Sequence, residues 1–118
     1  MRKMVQVSTE KAGRVRIVRL SGELDFFSAD ELRRGLRRYR EEGDVLLLVD
    51  LAAVPYVDSS GLGLLIEMQH AFAAAGGRMK LFGVCPEVRR VLSNTDLVHF
   101  FDIADSEAAA LAGFETPS

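Results

Sequence analysis

The stretch Tyr56-Val-Asp58-Ser59-Ser60-Gly61-Leu62-Gly63 gathers a carboxylate, two hydroxyls and two glycines where an extended segment gives way to a helix. Helix N-termini carry free amides and a partial positive charge, so such a place accepts an anion. The simplest role is structural, with Asp58 or Ser59 capping the helix. Nucleotide hydrolysis does not fit: a phosphate loop needs a lysine after its last glycine, and none follows Gly63. A nucleophile elbow does not fit either, because Val57 stands where its first glycine belongs. A serine nucleophile also needs a base within hydrogen-bond reach. His70 lies about three helical turns further along the same helix, and His99 reads as a strand residue. A serine without a base can still accept a phosphoryl group from another protein. Phosphate adds about −1.5 to −2 charges, which the helix dipole tolerates and an acidic partner surface repels.

The elements around this segment follow from periodicity. Val5 and Val7 alternate with polar residues as a half-buried strand, Lys11-Ala-Gly13 reads as a turn, and Val15, Ile17, Val18 and Leu20 form a second strand. Gly22-Glu-Leu-Asp25 breaks that strand, and Ser28-Ala-Asp-Glu31 has the form of a capping box for a helix with Leu32, Leu36 and Tyr39 on its apolar stripe. The arginines at 33, 34, 37, 38 and 40 read as a solvated face offset by Glu41, Glu42 and Asp44. Asp44-Val-Leu-Leu-Leu-Val-Asp50 is a strand buried on both faces. Leu65, Met68, Phe72 and Ala75 recur at helical spacing until Gly76-Gly77. Met79 to Val84 is a strand, Pro86 opens a short helix, Leu97 to Ile103 is a last strand, and Asp105-Ser-Glu107 opens a final helix. The order β-β-α-β-α-β-α-β-α predicts an α/β domain with a mixed sheet of about five strands and helices packed against it.

Composition narrows the field further. The chain has 118 residues, 15 basic and 17 acidic, with a formal charge of −2. That balance gives no footprint for nucleic acid or an anionic membrane. One cysteine, Cys85, excludes a disulfide framework, and His70 and His99 lack metal-ligand spacing. No apolar run reaches the roughly 20 residues that span a bilayer, and the N-terminus lacks a signal-peptide core. The expectation is one cytoplasmic domain over residues 1–118, with its core at about 4–113.

Ser21-Gly-Glu-Leu-Asp25 followed by Asp58-Ser-Ser-Gly-Leu-Gly63 resembles the bacterial anti-sigma factor antagonists of the STAS superfamily, the sporulation and general-stress type. The likeness covers nearly the whole chain, including element order and the Gly76-Gly77 and Cys85-Pro86 junctions. It implies a regulatory phosphoprotein and not an enzyme. The unphosphorylated form would bind an anti-sigma factor with serine kinase activity and free the sigma factor. Phosphorylation would end that binding, and a PP2C-type phosphatase would restore it.

The resemblance makes Ser59 the phosphoacceptor, with Asp58 orienting or activating its hydroxyl, Ser60 capping the helix and Gly61 supporting the site. Asp25, Phe27 and Leu62 match the family's partner-binding region. If Leu65, Met68 and Phe72 face the sheet, helical spacing turns Gly63 to solvent and leaves Leu62 and Ile66 on the boundary close to Ser59. These five are therefore the expected partner-binding residues. Of the Phe26-Phe27 pair, which departs from the smaller or polar residues common in that loop, one is expected in the core and the other at the contact. Magnesium and ATP belong to the kinase, so the chain needs no cofactor or metal of its own, and a monomer is expected when it is free. Two other readings stand beside this one: a STAS scaffold or subunit of a larger assembly, such as a stress-sensing complex or lipid-transport ATPase, and a small-molecule or nucleotide-binding module. Cys85 reads as a small buried hydrophobe.

Overall fold

The computed structural model describes residues 5–115. Its elements run β1 (Gln6–Ala12), β2 (Val15–Ser21), α1 (Phe26–Glu41), β3 (Leu46–Ala53), α2 (Ser59–Ala74), β4 (Arg78–Phe82), α3 (Pro86–Asn94), β5 (Ile103–Ala104) and α4 (Glu107–Phe114). The five strands form one sheet in the order β1-β2-β3-β4-β5. β1 and β2 are antiparallel, and every other neighbouring pair is parallel. The predicted element order and mixed sheet are therefore the observed ones. The first four and last three residues of the 1–118 domain, and with them the N-terminal edge of the expected core, lie outside the described residues.

Side-chain alternation along the central strand divides the core in two. Leu47, Val49 and Leu51 face one way and pack with Leu32 and Leu36 of α1, Leu65, Met68 and Phe72 of α2, and Val88 and Leu92 of α3. Leu46 and Leu48 face the other way, against Ala110 and Phe114 of α4. A strand covered on both faces needs apolar residues at consecutive positions, which is why Leu46–Val49 reads as an unbroken apolar run.

Several boundaries differ from those read in the sequence, among them β4, which runs Arg78–Phe82 and not Met79–Val84. β1 runs through Lys11 and Ala12, and the turn is the two-residue Gly13-Arg14. Ala12 pairs with Val15 across it, and Gly13 takes φ +60°, which a tight hairpin turn requires. Helix α1 begins at Phe26, so its capping box is Asp25 with Ser28 rather than Ser28 with Glu31. β3 starts two residues after Asp44 and runs three beyond Asp50.

The last strand is only Ile103–Ala104. The amides of Leu97 and Val98 both donate to the Leu92 carbonyl, at 2.7 and 3.2 Å, and close the end of α3. Those amides are spent on the helix end, so Leu97–Phe101 turns instead of joining the sheet, and His99 is an exposed turn residue. The α1 arginines are a largely solvated face: Arg34, Arg37 and Arg38 are exposed, while Arg33 pairs with Asp30 and Glu67.

Candidate functional site

Two chain segments leave the sheet side by side and carry the site. After β2 comes Gly22–Asp25, and after β3 comes Val54–Asp58. The Gly22 amide donates to the Ala53 carbonyl at 3.0 Å, Leu24 to Tyr56 at 3.0 Å, and Asp58 back to Leu24 at 3.1 Å. Leu24 and Val57 form a parallel bridge, and both are buried. Each segment ends in an aspartate that caps a helix.

Asp25 Oδ1 accepts from the amides of Phe27 at 3.0 Å and Ser28 at 3.2 Å, and Ser28 Oγ accepts from the Asp25 amide at 3.0 Å. Asp58 Oδ1 accepts from the Gly61 amide at 2.9 Å, while its Oδ2 accepts from the Phe26 amide of the neighbouring helix at 3.2 Å. One carboxylate therefore ties the N-terminus of α2 to that of α1.

Ser59 is the first residue of α2 and is exposed. Its hydroxyl makes no hydrogen bond to any described residue. Ser60 follows, half-buried in the first turn. It is not the cap: the cap is Asp58, whose extended backbone (φ −96°, ψ −174°) suits that position. Both Asp58 oxygens accept backbone amides, and no hydrogen bond joins them to Ser59 Oγ.

Gly61 is required sterically, because a Cβ there would run into the Leu24 carbonyl. Gly63, two residues past that crossing, faces open space. Phe26, Ala29, Asp30, Arg33, Ser60, Gly63 and Glu67 line a shallow depression of about 340 Å³ between α1 and α2. Across it Arg33 Nε donates to Glu67 at 2.8 Å, and that bond raises the arginine's pKa above its ordinary value.

The structure brings Asp58, Ser59, Ser60, Gly61 and Gly63 together with the start of α1. Three of the expected contact residues are buried or half-buried. Asp25 is 7 % exposed and its carboxylate is committed to the α1 cap, so it supports the loop from within. Leu62 is 8 % exposed and belongs to the core, and Ile66 is half-buried against the same core. The apolar face of α2 is wide because α1 flanks it as well as the sheet. Neither phenylalanine of the loop is in the core: Phe26 is 68 % and Phe27 71 % exposed, their rings edge to face at 5.5 Å.

Phe26 was not expected at the surface. Its signal was the cap position. With the cap at Asp25, residues 26 and 27 occupy the first turn, ahead of the first core positions at Ala29 and Leu32.

Among the described residues no group of three His, Cys, Asp or Glu side chains is placed to hold a metal. No helix among them is long and apolar enough to cross a membrane. His70 is exposed and stacks edge-on with Phe100 at 5.8 Å, far along α2 from Ser59. Cys85 is half-buried at the α3 cap position, its Sγ 3.6 Å from the Val54 carbonyl oxygen.

The STAS domain family model matches residues 6–110. A Paenibacillus polymyxa protein named anti-sigma F factor antagonist is 36% identical over 118 residues, covering 97% of this chain and 98% of its own. An anti-sigma factor antagonist from Mycobacterium paratuberculosis superposes with a TM-score of 0.85 at 24% identity, covering 95% of both chains. The Bacillus cell fate determinant SpoIIAA, solved in its phosphorylated form, superposes with a TM-score of 0.71 at 24% identity, covering 92% of this chain and 99% of its own.

Proposed function

The chain belongs to the STAS domain family, and from that premise we propose that it is an anti-sigma factor antagonist switched by phosphorylation of Ser59. The unphosphorylated form binds an anti-sigma factor that is also a serine kinase, which frees the sigma factor held by it. The kinase supplies Mg-ATP, transfers one phosphoryl group to Ser59 Oγ and thereby ends the association. A PP2C-type phosphatase reverses the modification. The chain itself performs no catalysis, and its work is done in the cytoplasm.

The observation that carries this reading is the Ser59 hydroxyl. It is exposed at the first position of α2, beside an aspartate cap, with no hydrogen bond to any described residue. A phosphate there meets the positive end of the helix dipole, so the free domain tolerates it. On a partner surface built to receive a neutral hydroxyl, the same two charges repel, and each 1.4 kcal/mol of repulsion weakens binding about tenfold. The name of the Paenibacillus polymyxa relative and the phosphorylated form of SpoIIAA support the same reading.

The test is the intact mass of the protein recovered from its own host, with peptide mapping across residues 58–63. One phosphoryl group on Ser59 is expected. An unmodified protein under every growth condition, with no ATP-dependent shift in host lysate, overturns the reading.

A further inference from the structure

We propose that the cavity between β1 and α1 binds a single-chain anionic amphiphile of the fatty-acid class, with its alkyl chain against the core and its carboxylate at Arg34 and Arg38. None of the residues assigned to the switch lines this cavity. The site therefore stands or falls separately from the function proposed above.

Its size and lining point to a ligand. A cavity of about 350 Å³ opens between the edge strand and the helix, and Leu20, Leu24, Leu36, Leu64 and Met68 form its inner wall. Each of these side chains is at most 9 % exposed, so the wall belongs to the core. Packed interiors leave few voids larger than a water molecule. An apolar hollow of this volume falls instead in the range of small-molecule sites.

Short residues keep it open. Val7 and Thr9 line it from β1, and Gly35 lines it from the middle of α1. A glycine inside a helix is less favourable than alanine. No close backbone approach requires it here, because a Cβ on Gly35 would meet only Tyr39 Oη, at 3.9 Å. Its effect is to keep that wall of the cavity free of a side chain.

Charge at the mouth selects the ligand. Arg34 and Arg38 stand one turn apart on α1, both exposed and both on the cavity wall. Like charges at this spacing repel one another. Neither forms an ion pair with a described residue, and the nearby acids Glu42 and Asp44 are held by Arg16. A guanidinium receives a carboxylate through paired N–H donors, so an anionic head group complements this pair.

The orientation follows from the neighbours. Arg16 donates to Thr9 Oγ1 at 2.9 Å and lies over the Tyr39 ring at 4.9 Å, which puts Thr9 and Tyr39 at the same end as Arg38. Glu31 also lines the cavity, but it lies roughly 10 Å back along the helix from Arg38. The head group therefore sits at the Arg38 end, and the chain runs inward along the leucines.

The test is an NMR titration of the isotope-labelled protein with decanoate, kept below its micelle concentration. Saturable shifts are expected at the Thr9 and Gly35 amides and at the Met68 methyl. Decanol, with the same chain and no charge, is expected to bind at least about tenfold more weakly. Arg34→Gln/Arg38→Gln changes only exposed side chains and is expected to weaken decanoate binding by a similar factor. Gly35→Leu fills the hollow, and it is expected to keep or raise the thermal midpoint while abolishing the shifts.

An absence of saturable shifts with decanoate overturns the site. Wild-type affinity in Gly35→Leu overturns its placement in the cavity. Equal affinities for decanoate and decanol, or wild-type affinity in the double arginine variant, overturn the anionic head group. These last two comparisons decide the proposal even where Gly35→Leu does not fold.

Discussion

Gly61 lies against the backbone of Leu24 so closely that a Cβ on it would come 2.8 Å from the Leu24 carbonyl carbon. The same Leu24 carbonyl accepts the Asp58 amide at 3.1 Å. The first turn of α2 is thus pressed onto the segment that follows β2. A glycine in this turn is what lets the two aspartate-capped helix starts meet.

Gly61→Ala is therefore expected to destabilise the domain by about 1–3 kcal/mol, since neither Leu24 nor α2 can shift without breaking that junction. Gly63→Ala, two residues on, places its methyl in open space. It is expected to leave stability unchanged or raise it by about 0.5–1 kcal/mol through helix propensity. Urea denaturation of the two variants side by side checks the contrast. Equal effects of the two would show that the close approach is not what constrains position 61.

Much of this site was legible in the sequence. The strand-to-helix junction at Asp58-Ser59 followed from motif and periodicity, whereas the choice of Ser59 as phosphoacceptor came from the family resemblance. What the sequence could not supply was which of two equally good cap residues is used. Asp25 and Ser28 both suit an N-cap, and choosing Ser28 moves the helix start by three residues. That shift alone hides the exposure of Phe26. The last strand was read too long for a related reason: Leu97–Ile103 has strand composition, but its first amides are taken by the end of α3 and only Ile103–Ala104 joins the sheet. The burial of Leu62 depended on α1 lying beside α2, a tertiary fact that no helical wheel contains.

Ser59 and Ser60 are neighbours with different surroundings, one exposed and one half-buried beside Phe26. Incubated with the kinase and Mg-ATP, Ser59→Ala is expected to remain unmodified by intact mass, while Ser60→Ala still gains one phosphoryl group. Ser59→Asp is expected to weaken kinase binding only partly, because a carboxylate carries less charge than phosphate. Phosphorylation of Ser59→Ala at the wild-type rate would move the switch to Ser60.

Leu62 and Ile66, four residues apart on α2, differ in depth. Leu62 is 8 % exposed and packed in the main core, while Ile66 is half-buried at its margin. Leu62→Ala is expected to cost about 2–4 kcal/mol of stability, from the cavity it leaves in the main core. Ile66→Ala is expected to cost less than half as much. Thermal and urea unfolding separate them, and equal losses would contradict the burial difference.

Acid stability is expected to depend on Asp44, which lies far from the switch. Asp44 is 3 % exposed. Burial alone would push its carboxyl up, but hydrogen bonds from Lys11 at 2.8 Å and Arg16 at 2.9 Å outweigh burial and hold its pKa below the ordinary value. A carboxylate with a depressed folded-state pKa binds its proton more readily in the unfolded chain. Its contribution is therefore complete above about pH 4, the unfolded range, and is lost as pH falls through the lower folded-state value. Asp44→Asn cannot take part in this exchange and leaves Lys11 and Arg16 without their anion. It is expected to lower stability at pH 7 by about 1.5–3 kcal/mol, the worth of hydrogen bonds to a charged group. Its stability is also expected to decline less steeply than the wild type's below pH 4. Unfolding free energies of both proteins measured from pH 7 down to about 3 decide the matter: parallel curves would mean that the Asp44 ion pairs contribute nothing to the acid limb.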